Sequence, residues 1–586
     1  MDLNFEKIQS VDPRLMQDKP LVAVERGAAS VSAQPFNALS QSSSQHVYSI
    51  SVPSLQTVID RYLQLQTTFC SSFTLTYASA PSSAEPIVAG TQWSVAAFPY
   101  HRLMSSTTCA INDVSVTSNY AQMLQTLLRV INTKRWRKTT TTPCALGKTL
   151  APGTLTGTAA DPFGGLEDEL YGASSNGSYP FVYCNPNTGQ SLGTSSGNYT
   201  FGGVTVNYVN GVPETTASQA SYPICVSYTV TEPYLQSPFT FGASAASYST
   251  GLSGVTSIQI TSQISTPGNA NIFKGLAGVS LSNIAFVTPS GAQSPFSGSV
   301  ALSRYAISSH LGIRLPARNI VPYVQLDVYP FQQSGTLAAG ASGTVFSNTV
   351  SLAQCPDKLI VQIRPTAAYS STEDDWVLSV SNVSIIWANQ SGLLSSAAQT
   401  TLYRISQENG LEQEYKEWAG TAAGRTGGPV ATIGGPLVLE FGKDIQCPAG
   451  IAPGVSGNFS LSMQATVTNQ SGATITPQIS LIVVSAGAFI TEAGKSVRST
   501  TLVTEKDALS AFDGETAGPA LKHMIGSGAL EKYTASKPLL NLYRRWKEKH
   551  GSGAMAGAGA QSGSGAQSGS GAQSGSGQKS IAHRYA

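Results

Sequence analysis

The chain has 586 residues, of which only 11% are charged, and a net charge of +2; an average soluble domain carries roughly 25% charged residues. This near-neutral balance supplies no global field for a nucleic acid or a membrane surface, and the first forty residues hold no arginine-rich arm. Ser, Thr, Ala, Gly and Asn fill the deficit, as in a β-protein with long polar loops or a particle whose surfaces are covered by neighbours, and the length admits two β-domains of about 200 or more residues each.

Residues 1–45 are polar and without periodicity, and read as an extended N-terminal arm. They contain no basic-then-apolar leader, and no run of about 18 apolar residues occurs along the chain, so synthesis in a cytosol and no membrane span are expected. Strand signals begin at His46, where HVYSISVP alternates Val47, Ser49 and Ser51 with Tyr48, Ile50 and Val52. Period-two patterns then recur to about Val484, at Phe73–Tyr77, Val204–Val209, Ile224–Val230, Val321–Tyr329, Leu359–Ile363, Leu437–Phe441, Phe459–Val467 and Ile479–Val484. Their wide spacing suits Greek-key sandwiches with long loops. Helices are few. Asn119–Ile131 places Met123, Leu124, Leu127, Leu128 and Ile131 on one face behind a capping Asn119, and Leu393–Ile405 is a weaker candidate.

The segment Asp374–Trp418 contains an alternating strand, an Asn-Gln-Ser-Gly turn, a Leu/Tyr/Ile stretch and a closing Asn409-Gly410. Trp376, Leu378 and Val380 are predicted on one strand face, with Ile385 and Trp387 joining them if the register shifts before the turn. After Thr501 the composition changes. A basic segment with Leu540, Tyr543 and Trp546 among Arg544, Arg545, Lys547 and Lys549 is followed by three copies of GAQSGS, a flexible spacer by composition.

No catalytic, cofactor-binding or metal-ligating residues are assigned. Gly147-Lys148-Thr149 resembles the end of a phosphate loop, but Thr142 stands where its first glycine is required. Gly193–Gly197 (GTSSG) matches a nucleophile elbow in letters only, because turn residues flank it on both sides. The six histidines are far apart in sequence, and the clusters Glu167/Asp168/Glu169 and Asp374/Asp375 read as solvated loop charge or inter-subunit ion pairs. Seven cysteines without a CxxC pair indicate neither a zinc motif nor a disulfide framework; they read as small buried apolar groups in a reducing compartment.

Several segments, in this order, resemble double jelly-roll major capsid proteins of the PRD1–adenovirus lineage, most of all those of virophages and polinton-like viruses: Pro53–Arg61, Phe98–Val116, Cys355–Pro365, Asp374–Trp418 and Gly434–Gly457. The resemblance implies an all-β fold of two tandem eight-stranded jelly rolls with short helices in their loops. The divisions expected are an arm at 1–45, a first jelly roll at 46–270, a second at 271–500, a C-terminal extension at 501–550 and a Gly/Ser/Ala/Gln-rich tail at 551–586. Residues 140–320 match little and read as long loops that build an outward tower. The implied function is structural and not enzymatic. Homotrimers would form pseudo-hexameric capsomers that assemble inside the host cell and meet neighbouring capsomers, penton and minor capsid proteins in an icosahedral virion. The alternative is a β-sandwich adhesin or fibre that binds a glycan or receptor.

Met524–Gly528 and Met555–Gly559 share the pattern Met-x-Gly-x-Gly, which resembles the cleavage consensus of the adenovirus-type cysteine protease. Cuts between Ser527 and Gly528, and between Ala558 and Gly559, are therefore expected from a viral protease. The basic segment Arg544, Arg545, Lys547 and Lys549 would face inward, towards genome or an internal membrane.

Overall fold

The structure is a computed structural model that describes residues 29–500, apart from 56, 90–91, 96–97, 131–180, 240–250, 268–271, 276–278, 309–317, 367–375, 424–427 and 449–450. The chain divides into two compact units, Met1–Thr501 and Leu502–Ala586, and the second lies outside the described residues.

The first unit contains two jelly-roll sandwiches in succession. In the first, one layer runs in the order Val114–Ser118, Met104–Ile111, Ser257–Ile264, Gln45–Ser51 and Ala29–Gln41. The other layer continues from Ala29–Gln41 through Phe296–Ser308, Gln64–Tyr77 and Ser221–Pro233 to Phe181–Tyr183. Ala29–Gln41 thus belongs to both layers. Residues 29–37 pair with 300–308 and residues 38–41 with 46–48, and the register shift between Ala38 and Ser40 turns the corner. Among the described residues pairing is already present at Ala29, earlier than the His46 read from the sequence. The reason is that Ser32–Leu39 alternates only between half-buried and exposed positions, and Pro35 interrupts it, so no strong apolar period is written there.

Residues 181–308, expected as part of the tower loops, also supply core strands. Ser257–Ile264 buries Ile258, Ile260, Ser262 and Ile264 and exposes or half-exposes the residues between. Ser221–Pro233 pairs along its whole length with Gln64–Tyr77. A three-stranded hairpin layer, Gly197–Phe201, Val204–Val209 and Val212–Glu214, stands apart from these sheets. The GTSSG segment is a turn that feeds its first strand, with no helix following. Residues 140–180 lie outside the described residues.

Among the described residues the second sandwich has two five-stranded sheets. One contains Asn319–Gln332, Pro477–Glu492, Lys358–Pro365 and Leu437–Glu440, with Lys495–Ser499 beside Pro477–Glu492. The other contains Ser342–Phe346, Ser456–Thr468, Ser379–Trp387 and Gln390–Leu393, with Val350–Gln354 also paired to Ser456–Thr468. Trp387 of the second sheet meets Phe441, at the end of Leu437–Glu440, with ring centroids 4.6 Å apart, so the layers share one core.

Among the described residues four short helices accompany the sheets: α1 (Pro99–Leu103), α2 (Tyr120–Val130), α3 (Gln399–Glu408) and α4 (Tyr415–Trp418). The helix expected at 119–131 is α2, with Met123, Leu124, Leu127 and Leu128 buried. The one expected at 393–405 begins later, at Gln399. Leu393 instead completes a hairpin strand, and the turn that follows, beginning at Leu394 with positive φ, separates it from the helix. Among the described residues no helix is long and apolar enough to cross a membrane.

Candidate functional site: the seam between the sandwiches

A strand covered on one side alternates buried and exposed residues, whereas Lys358–Pro365 is buried from Leu359 to Pro365. Leu359, Val361 and Ile363 belong to the core of the second sandwich. The opposite face carries Gln362 and Arg364, and α2 of the first sandwich covers it. Thr126 Oγ1 donates to Gln362 Oε1 at 2.5 Å, and an Arg364 Nη donates to Gln122 Oε1 at 2.9 Å and to the Ala121 carbonyl at 3.4 Å. Thr126 and Gln362 are fully buried and Arg364 nearly so. Gln362 Nε2 is buried there without a hydrogen-bond partner, so the contact is specific through the Thr126 and Gln122 bonds.

The seam continues away from the helix. Arg61 donates through Nε to the Pro238 carbonyl at 2.7 Å and through an Nη to the Pro322 carbonyl at 3.3 Å, tying Asp60–Arg61 to the first strand of the second sandwich. Ser237 Oγ accepts from Val324 N, and Thr491 Oγ1 donates to the Ser253 carbonyl at 2.6 Å. The Asn112–Asp113 turn, with Asn112 at φ 54°, meets the Lys495–Ser499 strand. Asn112 Nδ2 donates to Ser496 Oγ at 2.9 Å and Asp113 Oδ1 accepts from Ser496 N at 2.7 Å. At the far end of α2, Glu412 N donates to the Arg129 carbonyl at 3.0 Å. Backbone and side-chain bonds from residues 61–129 and 237–254 therefore hold residues 322–496 at many points.

Three of the segments that carried the resemblance, Cys355–Pro365, Asp374–Trp418 and Gly434–Gly457, come together in the second sandwich. Lys358 Nζ donates to the Asn409 carbonyl at 2.9 Å, and Asn409 Nδ2 donates to Asp444 Oδ2 at 2.5 Å and to the Val438 carbonyl at 3.1 Å. Asp357 Oδ2 accepts from Ala486 N at 2.6 Å. Gly434, at φ +70°, lies so close to the Val377 carbonyl that no β-carbon fits, while Trp418 Nε1 donates to the Pro436 carbonyl at 2.8 Å. This glycine, the asparagine and the charged groups are framework parts, holding one corner of the barrel closed.

In the first sandwich two histidines that are distant in sequence share a buried network. His46 Nδ1 lies 2.6 Å from the Tyr100 hydroxyl, which also meets the Tyr48 hydroxyl at 2.7 Å. Glu232 accepts from Tyr100 N and His101 N at 3.0 Å, in the first turn of α1, and faces His101 Nδ1 at 2.6 Å. Because Leu235 N donates to His101 Nε2, that ring carries its proton on Nδ1 towards Glu232. Burial pushes His46 down to about 4, against a weaker opposing hydrogen bond to the Ser42 backbone. Both side chains of the His101–Glu232 pair are wholly enclosed, so no substrate reaches them.

Three cysteines that spacing left apart, Cys70, Cys184 and Cys225, are gathered by adjacent strands, and a second pair, Cys355 and Cys447, has its sulfurs 3.6 Å apart. Sequence reading missed both groups, since only strand pairing reveals them. Ser527, Gly528, Ala558, Gly559, Arg544, Arg545, Lys547 and Lys549, and the acidic clusters at 167–169 and 374–375, lie outside the described residues.

Residues 3–304 match the family described as Sputnik virophage major capsid protein 1st domain, and residues 328–487 match Major capsid protein V20 C-terminal domain. The chain is 27% identical over 530 residues to a Sputnik virophage protein named "Putative capsid protein V20", covering 87% of this chain and 82% of that one. Its fold is similar to that in the 3.5 Å cryo-EM structure of Sputnik virophage, with a TM-score of 0.63 and 23% identity, over 89% of this chain and 98% of that chain. It is also similar to the crystal structure of the mavirus major capsid protein, with a TM-score of 0.60 and 11% identity, over 87% and 98%. The first family match alone spans more than half of the 586 residues, and the chain belongs to the virophage major capsid protein family, as a double jelly-roll structural protein of the virion shell.

Proposed function

We propose that the seam makes two sandwiches into one rigid block, and that three such blocks close into a trimeric, pseudo-hexagonal capsomer. The observation that carries this reading is the double-sided burial of Lys358–Pro365 under α2, with Thr126, Gln362 and Arg364 hydrogen-bonded inside. A capsomer edge must resist shear, and buried, paired polar groups resist sliding better than apolar contact alone, because a shifted register leaves them unsatisfied. The first jelly roll is assigned to residues up to about 308 and the second from about 319, since no strand before Ser308 pairs with one after Asn319 among the described residues. The capsomer meets neighbouring capsomers, penton and minor capsid proteins through its flanks and performs no catalysis. Light scattering across micromolar concentrations tests the oligomer: a trimer supports the reading, and a persistent monomer opposes it.

The C-terminal segment is proposed as an assembly element. Residues 528–586 leave after cleavage between Ser527 and Gly528, once Arg544, Arg545, Lys547 and Lys549 have guided the shell against genome or an internal membrane. Glycine-rich sites suit a protease groove because they lie flat in an extended conformation. Intact-mass spectrometry of mature particles is expected to show a chain ending at Ser527. A chain ending at Ala586 in infectious particles refutes processing while leaving the capsid role intact.

A further inference from the structure

Cys70 and Cys225 lie on neighbouring antiparallel strands, on the same face, one pair apart: Cys70 is opposite Ser227 and Cys225 opposite Ser72. Cys184 follows Phe181–Tyr183 on the other side of Ser221–Pro233, where its backbone N donates to the Cys225 carbonyl at 2.8 Å. All three side chains are buried, and their sulfurs lie within 4.8 Å of one another, the Cys70–Cys225 pair at 3.5 Å. Three thiolates around one ion with bonds of about 2.3 Å stand about 3.8–4.0 Å apart, so closing the set needs only small side-chain adjustments. We propose that Cys70, Cys184 and Cys225 form a three-thiolate site for a soft d10 metal ion, zinc or copper(I).

The surroundings are built. Cys70 N donates to the Pro295 carbonyl and its own carbonyl accepts from Val287 N, both at 3.1 Å, so the backbone holds this sulfur in place. The turn Asn185–Gln190 closes over the cluster, and its Gly189 carbonyl lies 3.9 Å from Cys70 Sγ. Gly189 is at φ +67°, with Pro289 and Val287 3.0 Å from where a β-carbon would stand, so this turn accepts glycine alone. The Tyr208 hydroxyl, on the hairpin strand Val204–Val209, is buried without a hydrogen-bond partner.

An all-sulfur set without a carboxylate or imidazole excludes hard ions such as calcium and magnesium and favours zinc or copper(I). On binding, each ligating thiol releases its proton to solvent as its sulfur takes up the ion; no electron transfer is involved. Copper(I) is satisfied by three sulfurs, whereas zinc takes a fourth ligand, for which water serves. The bound ion would join three neighbouring stretches of the first sandwich, next to the hairpin layer at 197–214.

The test uses the full-length chain purified anaerobically with reductant and without chelator. Elemental analysis is followed by titration with zinc, with cobalt(II) as the optical surrogate for zinc, and with copper(I). The expected result is one ion per chain, with thiolate-to-cobalt charge-transfer absorption if zinc is preferred and its absence with tight copper(I) binding if copper is. Binding weakens at least about tenfold in Cys184→Ser and is unchanged in Cys355→Ser. Elemental analysis of the unaltered chain stands whether or not Cys184→Ser folds. The proposal is overturned if the reduced chain binds none of the three ions more tightly than Cys184→Ser does. It is equally overturned if peptide mapping of anaerobically lysed particles finds Cys70 and Cys225 joined as a disulfide.

Discussion

Trp387 is fully buried, with Phe441 and Phe459 ring centroids 4.6 and 5.2 Å away. Truncation to Ala is expected to cost about 3–5 kcal/mol, seen as a lower chemical-denaturation midpoint and a lower yield of assembled protein. Its indole nitrogen is buried without a hydrogen-bond partner, so Trp387→Phe should cost much less; equal losses would show that packing is not the cause. The register shift anticipated for this strand lies between Val380 and Asn382, after which Val383, Ile385 and Trp387 are the buried set; the single face expected for Trp376, Leu378 and Val380 is not seen, because Trp376–Leu378 precede the strand Ser379–Trp387 and residues 376–380 are all buried. His46 gives a second residue-scale prediction. Its folded value of about 4 lies below the ordinary 6.5. The unfolded chain therefore takes up a proton first as pH falls, and stability drops between about pH 6.5 and 4 by on the order of 3 kcal/mol. Denaturation curves at about pH 7 and 4.5 measure the drop, and His46→Gln is expected to shrink it. The pairing of His46 with Tyr100 was not legible in the sequence, because 54 residues separate them and only the packing of α1 brings them together.

Helix α2 was legible from its apolar face, but its partner was not. Thr126 reads as an unremarkable polar residue on a helix, and Gln362 and Arg364 as the outward face of a strand; their burial depends on the other sandwich. Thr126→Val removes the donor to Gln362 and leaves a buried carbonyl oxygen unpaired, at an expected cost of about 1–3 kcal/mol. Arg364→Met should weaken the same contact. Denaturation followed by two probes, one tryptophan signal from each sandwich, is expected to change from one coincident transition to two. Coincident transitions in both variants would show that the coupling does not depend on these hydrogen bonds. Strands with clean alternation, such as Ile224–Val230 and Phe459–Val467, were legible; Ala29–Gln41 was not, because its faces are only half covered.

For the whole molecule, low charge is consistent with a protein that spends its life against neighbours, since unpaired charge is costly to cover. The order of resembling segments led to the double jelly roll, yet the expected division near residue 270 cuts through a sandwich that uses Phe296–Ser308 as a central strand. Strand pairing across 270 residues leaves no local mark in a sequence, so boundaries drawn from periodicity alone fall short. The central claim is that one chain forms a rigid two-barrel block which closes in threes. Single-particle cryo-EM of the purified chain tests it most directly: the account predicts a hexagonal particle with six barrels from three chains and α2 lying on Lys358–Pro365 in every copy. Monomers, or particles in which the two sandwiches of a chain take variable relative positions, would contradict it.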